Sequence, residues 1–171
     1  MMKRTLRSGL VALVFLLIAG GAYAIHEVIP SETFVPMPDA DAEQLNDYII
    51  KYSPYKSWKL WPGKGRLYEG VEPHGVLLTT FVNDIASRSI GNKEGMKDGS
   101  IIVKENYTKD KEFMFLTVMY KFKGYNPEAG DWFWAKYARD GSVMASGKVK
   151  GCIKCHGRRK DNDYIYTGTV K

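Results

Sequence analysis

Two cysteines and a histidine stand within five positions of one another at Cys152, Cys155 and His156, in the stretch GCIKCH. The chain has no other cysteine and two other histidines, His26 and His74. A C-x-x-C-H spacing lets one short helical turn present two thiols and an imidazole to one face of a flat group. In an exported protein it is the attachment signature of c-type haem, with thioethers at Cys152 and Cys155 and His156 on the iron. Two other chemistries use such residues. A redox dithiol normally belongs to a thioredoxin-like βαβ pattern, which this sequence lacks. Zinc needs a fourth ligand, which only His26 or His74 can offer.

The start of the chain bears on that choice. MMKRTLRSGLVALVFLLIAGGAYA has a basic opening (Lys3, Arg4, Arg7), an apolar run from Leu10 to Ile18 and an Ala22-Tyr23-Ala24 end. It reads as a secretory signal peptide cleaved after Ala24; the apolar run is short for a retained membrane anchor. With no eukaryotic marker, export implies a bacterial periplasm. Three of the 25 Lys and Arg residues and none of the 19 Asp and Glu lie in the leader, so removing it lowers the net charge from +6 to about +3. The remaining 147 or so residues suffice for one domain with a real core. No basic cluster interleaved with aromatics suggests nucleic acid, and Arg158-Arg159-Lys160 is too short to argue from. Four Trp, eleven Tyr and seven Phe suit a small core built around something large and flat.

The elements that must position the motif follow from periodicity. Residues 25–38, with three prolines, read as an extended arm, and Leu45, Tyr48, Ile49 and Tyr52 mark an amphipathic helix over 39–52. The segment 53–75 reads as an ordered loop, because Trp58, Trp61 and Tyr68 need burial. Strands are expected at 75–82, 100–108, 112–125, 131–138 and 142–149, with a short helix after Asn83. The turn-rich connections TKDKE, NPEAG and RDGS make the sheet antiparallel. The expectation is therefore a mainly β (α+β) domain: about five antiparallel strands, a few short helices and a C-terminal haem-attachment turn.

The position of the motif narrows the type of haem protein. Electron-transfer cytochromes of the small kind carry it near the N-terminus and use a later methionine; here no methionine follows Cys155. Met37, Met96, Met114, Met119 and Met144 all precede it and mostly sit on strands, where they read as core filler. An iron with one strong axial ligand and an apolar opposite side would bind nitric oxide, carbon monoxide or hydroxylamine.

A C-terminal C-x-x-C-H preceded by DGSIIVKE (98–105) and NPEAGDWFWAKY (126–137) resembles the cytochrome P-460 family, which includes the beta-sheet cytochromes c-prime. The resemblance covers roughly residues 55–165, so the domains expected are the leader at 1–24, the arm and helix at 25–52 and a P-460-like haem c domain at 53–171. It implies one covalent haem c, His156 as proximal ligand, an open distal side, a homodimer and a redox partner cytochrome. Members of the P-460 type carry a lysine bonded to the haem and oxidise hydroxylamine; the beta-sheet cytochromes c-prime lack that bond and bind nitric oxide or carbon monoxide. The family's lysine lies shortly before the DG turn, where this chain reads GNKEGMKDG, which makes Lys97 and Lys93 the candidates here.

Four further positions carry expectations. Lys104 and Glu105 are neighbours on a strand, so they face opposite sides, and Glu105 on the haem side would move a proton. His74, in EPHG, is a candidate distal ligand or hydrogen-bond donor. Arg158 and Arg159 are candidates to pair with propionates. Phe113, Phe115, Trp132 and Trp134 alternate along adjacent strands, as residues walling a haem or filling a core both would. Three functions remain in order: a ligand-binding haem protein, a hydroxylamine-oxidising enzyme and an electron carrier.

Overall fold

The computed structural model describes residues 35–171; the expected leader at 1–24 and residues 25–34 of the expected arm lie outside the described residues. Helix α1 (Ala42–Asp47) opens at Asp41, whose carboxylate accepts from the amides of Glu43 and Gln44, a standard N-terminal cap. It runs on as a π-helical turn over Tyr48–Tyr52. Together the two seat Leu45 and Ile49, both fully buried, against the sheet. The expected helix over 39–52 is present with this widened second half.

All five expected strands form, as β3 (Leu77–Val82), β4 (Ile101–Tyr107), β5 (Phe113–Lys121), β6 (Trp132–Ala138) and β7 (Val143–Gly147). Two more, β1 (Lys59–Leu60) and β2 (Tyr68–Glu69), come from the aromatic loop. The result is one open, wholly antiparallel sheet of seven strands in the order β1-β3-β4-β5-β6-β7, with β2 also on β3. Helix α2 (Asp84–Asn92) follows β3, its Asn83 cap accepting from the Ala86 amide. Helix α3 (Lys150–His156) follows β7.

Register decides which residues share a face. Val103 stands opposite Val118 and Val118 opposite Ala135, so their side chains point one way, with Phe81, Ile101, Leu116, Phe133 and Tyr137. The N-terminal helix covers that face. The alternate residues form the opposite face in cross-strand rows: Ile102, Met119, Trp134, then Lys104, Thr117, Lys136, Ala145, then Asn106 and Phe115. Helix α3 and the segment after it lie on this second face.

Candidate functional site

The second face forms the floor of a cavity of about 310 Å³, within the range of small-molecule and cofactor sites. Cys152, Cys155 and His156 line it from α3, Pro73 and His74 from the loop before β3, and Ile165, Tyr166 and Thr167 from the C-terminal segment. Ile102, Phe115, Met119 and Trp134 make its floor apolar. Among the described residues, no Asp or Glu lines it.

His156 closes the last turn of α3. Its Nδ1 lies 2.7 Å from the backbone oxygen of Tyr164, which can only accept, so Nδ1 carries the proton and Nε2 keeps the lone pair. Burial pushes the imidazole below its ordinary pKa, favouring the neutral form that ligates metal. The Trp134 ring stands 4.7 Å away and Tyr166 5.4 Å away, both edge-on, while the Tyr166 hydroxyl donates to the Cys155 carbonyl at 3.0 Å. Both thiols are free and partly buried, and burial raises the Cys152 pKa.

The carbonyl that holds His156 is aimed by a turn with unusual backbone angles. Asp163 and Tyr164 both lie in the left-handed region, at φ of 53° and 67°. Such residues are strained and persist where their surroundings over-determine them. Asp163 accepts from Lys121 Nζ at 2.6 Å and from the Met96 amide at 2.7 Å, and the indole of Trp132 donates to its backbone oxygen at 3.1 Å. The neighbouring Asn162 donates to the carbonyls of Ile165 and Gly168 and accepts from the Val170 amide.

Across the cavity, His74 sits on a loop held tight by Gly75: a Cβ at Gly75 would meet the Tyr107 backbone nitrogen at 2.5 Å. Asn106 orients the His74 ring. Its Nδ2 donates to the Lys104 and Phe115 carbonyls, so the amide has one orientation, and its Oδ1 takes both the Gly75 amide, at 3.1 Å, and His74 Nδ1, at 3.2 Å. His74 Nε2 therefore also keeps a lone pair. Burial, helped by the Lys104 charge, lowers its pKa to about 4.

The strand pair at 104 and 105 resolves by parity. Glu105 points to the core face, 4% exposed, where it accepts from the Tyr55 hydroxyl at 2.8 Å and the Tyr107 hydroxyl at 2.6 Å. It is a structural carboxylate and not a proton carrier at this cavity. Lys104 faces the cavity instead, and burial lowers its pKa to about 8. None of the ion pairs among the described residues involves Lys104 or Lys136, and Lys136 lies 3.8 Å over the Phe115 ring.

Lys93 and Lys97 do not reach the cavity. Both are exposed on the loop after α2, where Lys97 pairs with Glu94 at 3.2 Å. Arg158 is exposed, and Arg159 leans over Tyr166 and towards Asp161 outside the cavity. Of the four aromatic candidates, Phe115 and Trp134 line it. Trp132 packs under the C-terminal turn and Phe113 against the core face. Sequence reasoning missed Lys136 and Met119 as lining residues, although period-two counting from Trp134 and Phe115 puts both on this face.

A model of the family described as Cytochrome P460 matches residues 54–167, two thirds of the chain. The chain belongs to the cytochrome P460 family. No curated protein matches it. The family implies haem c, and the cavity suits that group on its own chemistry. Two free thiols and an imidazole with an available Nε2 share its α3 wall, the floor is apolar, and the lining charges are cationic, as carboxylate-bearing propionates require. Trp134 adds a buried Nε1 with no partner among the described residues.

Proposed function

We propose that this cytochrome P460 family member is an exported, periplasmic mono-haem c protein that binds small nitrogenous or diatomic ligands such as nitric oxide and carbon monoxide. Cys152 and Cys155 would hold the group through their thiols and His156 would ligate it through Nε2. Held there, the haem would supply an iron able to bind such a molecule, and the apolar lining would hold that molecule away from water. The observation that carries this reading is the cavity beside His156, apolar and without a lining carboxylate among the described residues. Oxidising hydroxylamine releases protons, and among the described residues no lining carboxylate stands ready to accept them. Homodimer formation and electron exchange with a partner cytochrome belong to the same proposal and are tested by sedimentation and by reduction kinetics with a soluble cytochrome.

A second reading, hydroxylamine oxidation by a lysine-modified haem, is favoured by Lys104. It faces the cavity with no ion-pair partner among the described residues, and its lowered pKa gives a larger share of free amine than an exposed lysine has. In this reading Lys104 takes the place expected of Lys97 or Lys93.

The test is an optical spectrum of protein expressed with haem-attachment machinery, oxidised and reduced, with and without nitric oxide. Ordinary c-type bands that change with the gas, and no hydroxylamine-dependent reduction of an electron acceptor, are the expected result. A strongly red-shifted reduced Soret band, lost in Lys104→Met, with hydroxylamine turnover would establish the second reading. A spectrum indifferent to the gas would leave electron transfer, and a colourless protein would overturn all three.

A further inference from the structure

The ring centroids of His74 and His156 lie 6.2 Å apart, with the planes 83° to one another. Each Nδ1 is committed elsewhere, His156 to the Tyr164 carbonyl and His74 to Asn106 Oδ1, so each ring has only Nε2 to offer. Both rings line the same cavity. Two imidazoles sharing one metal ion stand roughly 6 Å apart between centroids, because each metal–nitrogen bond is about 2 Å and each ring centre lies about 1 Å behind its nitrogen.

The support behind His74 is that of a placed ligand. Gly75 lets its loop approach the β4 backbone to a distance no other residue permits, and Asn106 fixes the ring through an amide that is itself held by two carbonyls. This outer layer, a buried amide bonded to the far nitrogen of the ring, is what metal-bound histidines generally carry.

We propose that His74 Nε2 is the second axial ligand of the haem iron in the resting protein, opposite His156, and that small ligands bind only after His74 lets go. The proposal rests on the reading that haem c is held by Cys152, Cys155 and His156. It makes gas binding conditional: the observed affinity and association rate are reduced by the fraction of protein in which His74 is detached.

Ferric holoprotein examined by optical and electron paramagnetic resonance spectroscopy tests it. The wild type is expected to be six-coordinate and low-spin. His74→Ala is expected to be high-spin, to return to low-spin when imidazole is added, and to bind carbon monoxide in the ferrous state at least about tenfold faster than the wild type. His74→Phe keeps the volume of the ring without the nitrogen, so a high-spin spectrum in a variant with wild-type circular dichroism separates ligation from folding. A haem-bearing wild type that is high-spin overturns the proposal and leaves the haem reading intact, as does a low-spin spectrum unchanged in both variants. A colourless protein overturns the haem reading itself.

Discussion

Alternate residues of β4, β5 and β6 supply two surfaces with opposite habits. On the core face the buried carboxylate Glu105 has two tyrosine donors, and the hydroxyls of Tyr120 and Tyr137 donate to the carbonyls of Pro38 and Ala42. On the cavity face Lys104 has no counter-ion and Trp134 Nε1 no partner among the described residues, and two imidazoles offer their Nε2 atoms. The strands and the spacing are the same for both. Polar groups that satisfy one another fix a fold, whereas polar groups left with free valence at one cavity fix a chemistry.

The strongest way to break this comparison is to remove the thiols. Cys152→Ala with Cys155→Ala is expected to abolish covalent haem and to lower the unfolding midpoint by roughly 10 °C or more, because the group stabilises only the folded state. A midpoint within a degree or two of wild type in a thermal melt would mean that the cavity face is as self-sufficient as the core face. Next in size, Asp163→Ala should cost about 2–4 kcal/mol by leaving Lys121 half-buried without its carboxylate, and it should disturb the His156 environment; denaturant titration with the haem spectrum reads both.

The pH dependence sharpens the contrast further. Lys104 has a pKa of about 8 in the fold against 10.5 for an exposed lysine, so between these values the unfolded chain binds more protons than the native one. Stability therefore rises with pH across that window, by up to about 3 kcal/mol, and the gain is lost as pH falls to about 8. The difference in urea midpoint between the thiol-free protein and its Lys104→Met derivative, followed from pH 7 to pH 10.5, should shrink over this range; a constant difference would show that Lys104 is not desolvated. The smallest effect is expected on the other face. Glu105→Gln should cost about 1–3 kcal/mol through its tyrosine partners while leaving the haem spectrum unchanged, and any spectral shift would erase the division between the faces.

Much of this architecture was legible in the residues. The five long strands followed from apolar runs bounded by turn chemistry, and the family from the C-x-x-C-H motif with the segments ahead of it. The two-residue strands β1 and β2 were not, because pairs such as Lys59–Leu60 are too short to show a period and exist only through pairing with β3. Alternation placed Lys104 and Glu105 on opposite faces but not which was which: Ile102 and Val103 are both buried, so hydrophobicity does not label the sides. The lysines near the DG turn looked suitable by sequence distance, yet the loop after α2 keeps Lys93 and Lys97 in solvent. The order of residues 162–171 was invisible too, since it depends on long-range bonds from Asn162 and Asp163 to backbone groups and leaves no periodic trace.

The left-handed pair Asp163–Tyr164 has a consequence for motion. Its strain is held in place by contacts to Met96, Lys121 and Trp132, which lie on other elements, so loosening any one of them releases stored conformational energy and lowers the free energy at which the turn opens. The Tyr164 carbonyl departs with that turn, and His156 loses the acceptor that orients it. With haem held by His156 as proposed, opening of this small segment would change the colour of the protein before the sheet unfolds, making the cofactor a built-in gauge of sub-global fluctuation in the chain around it.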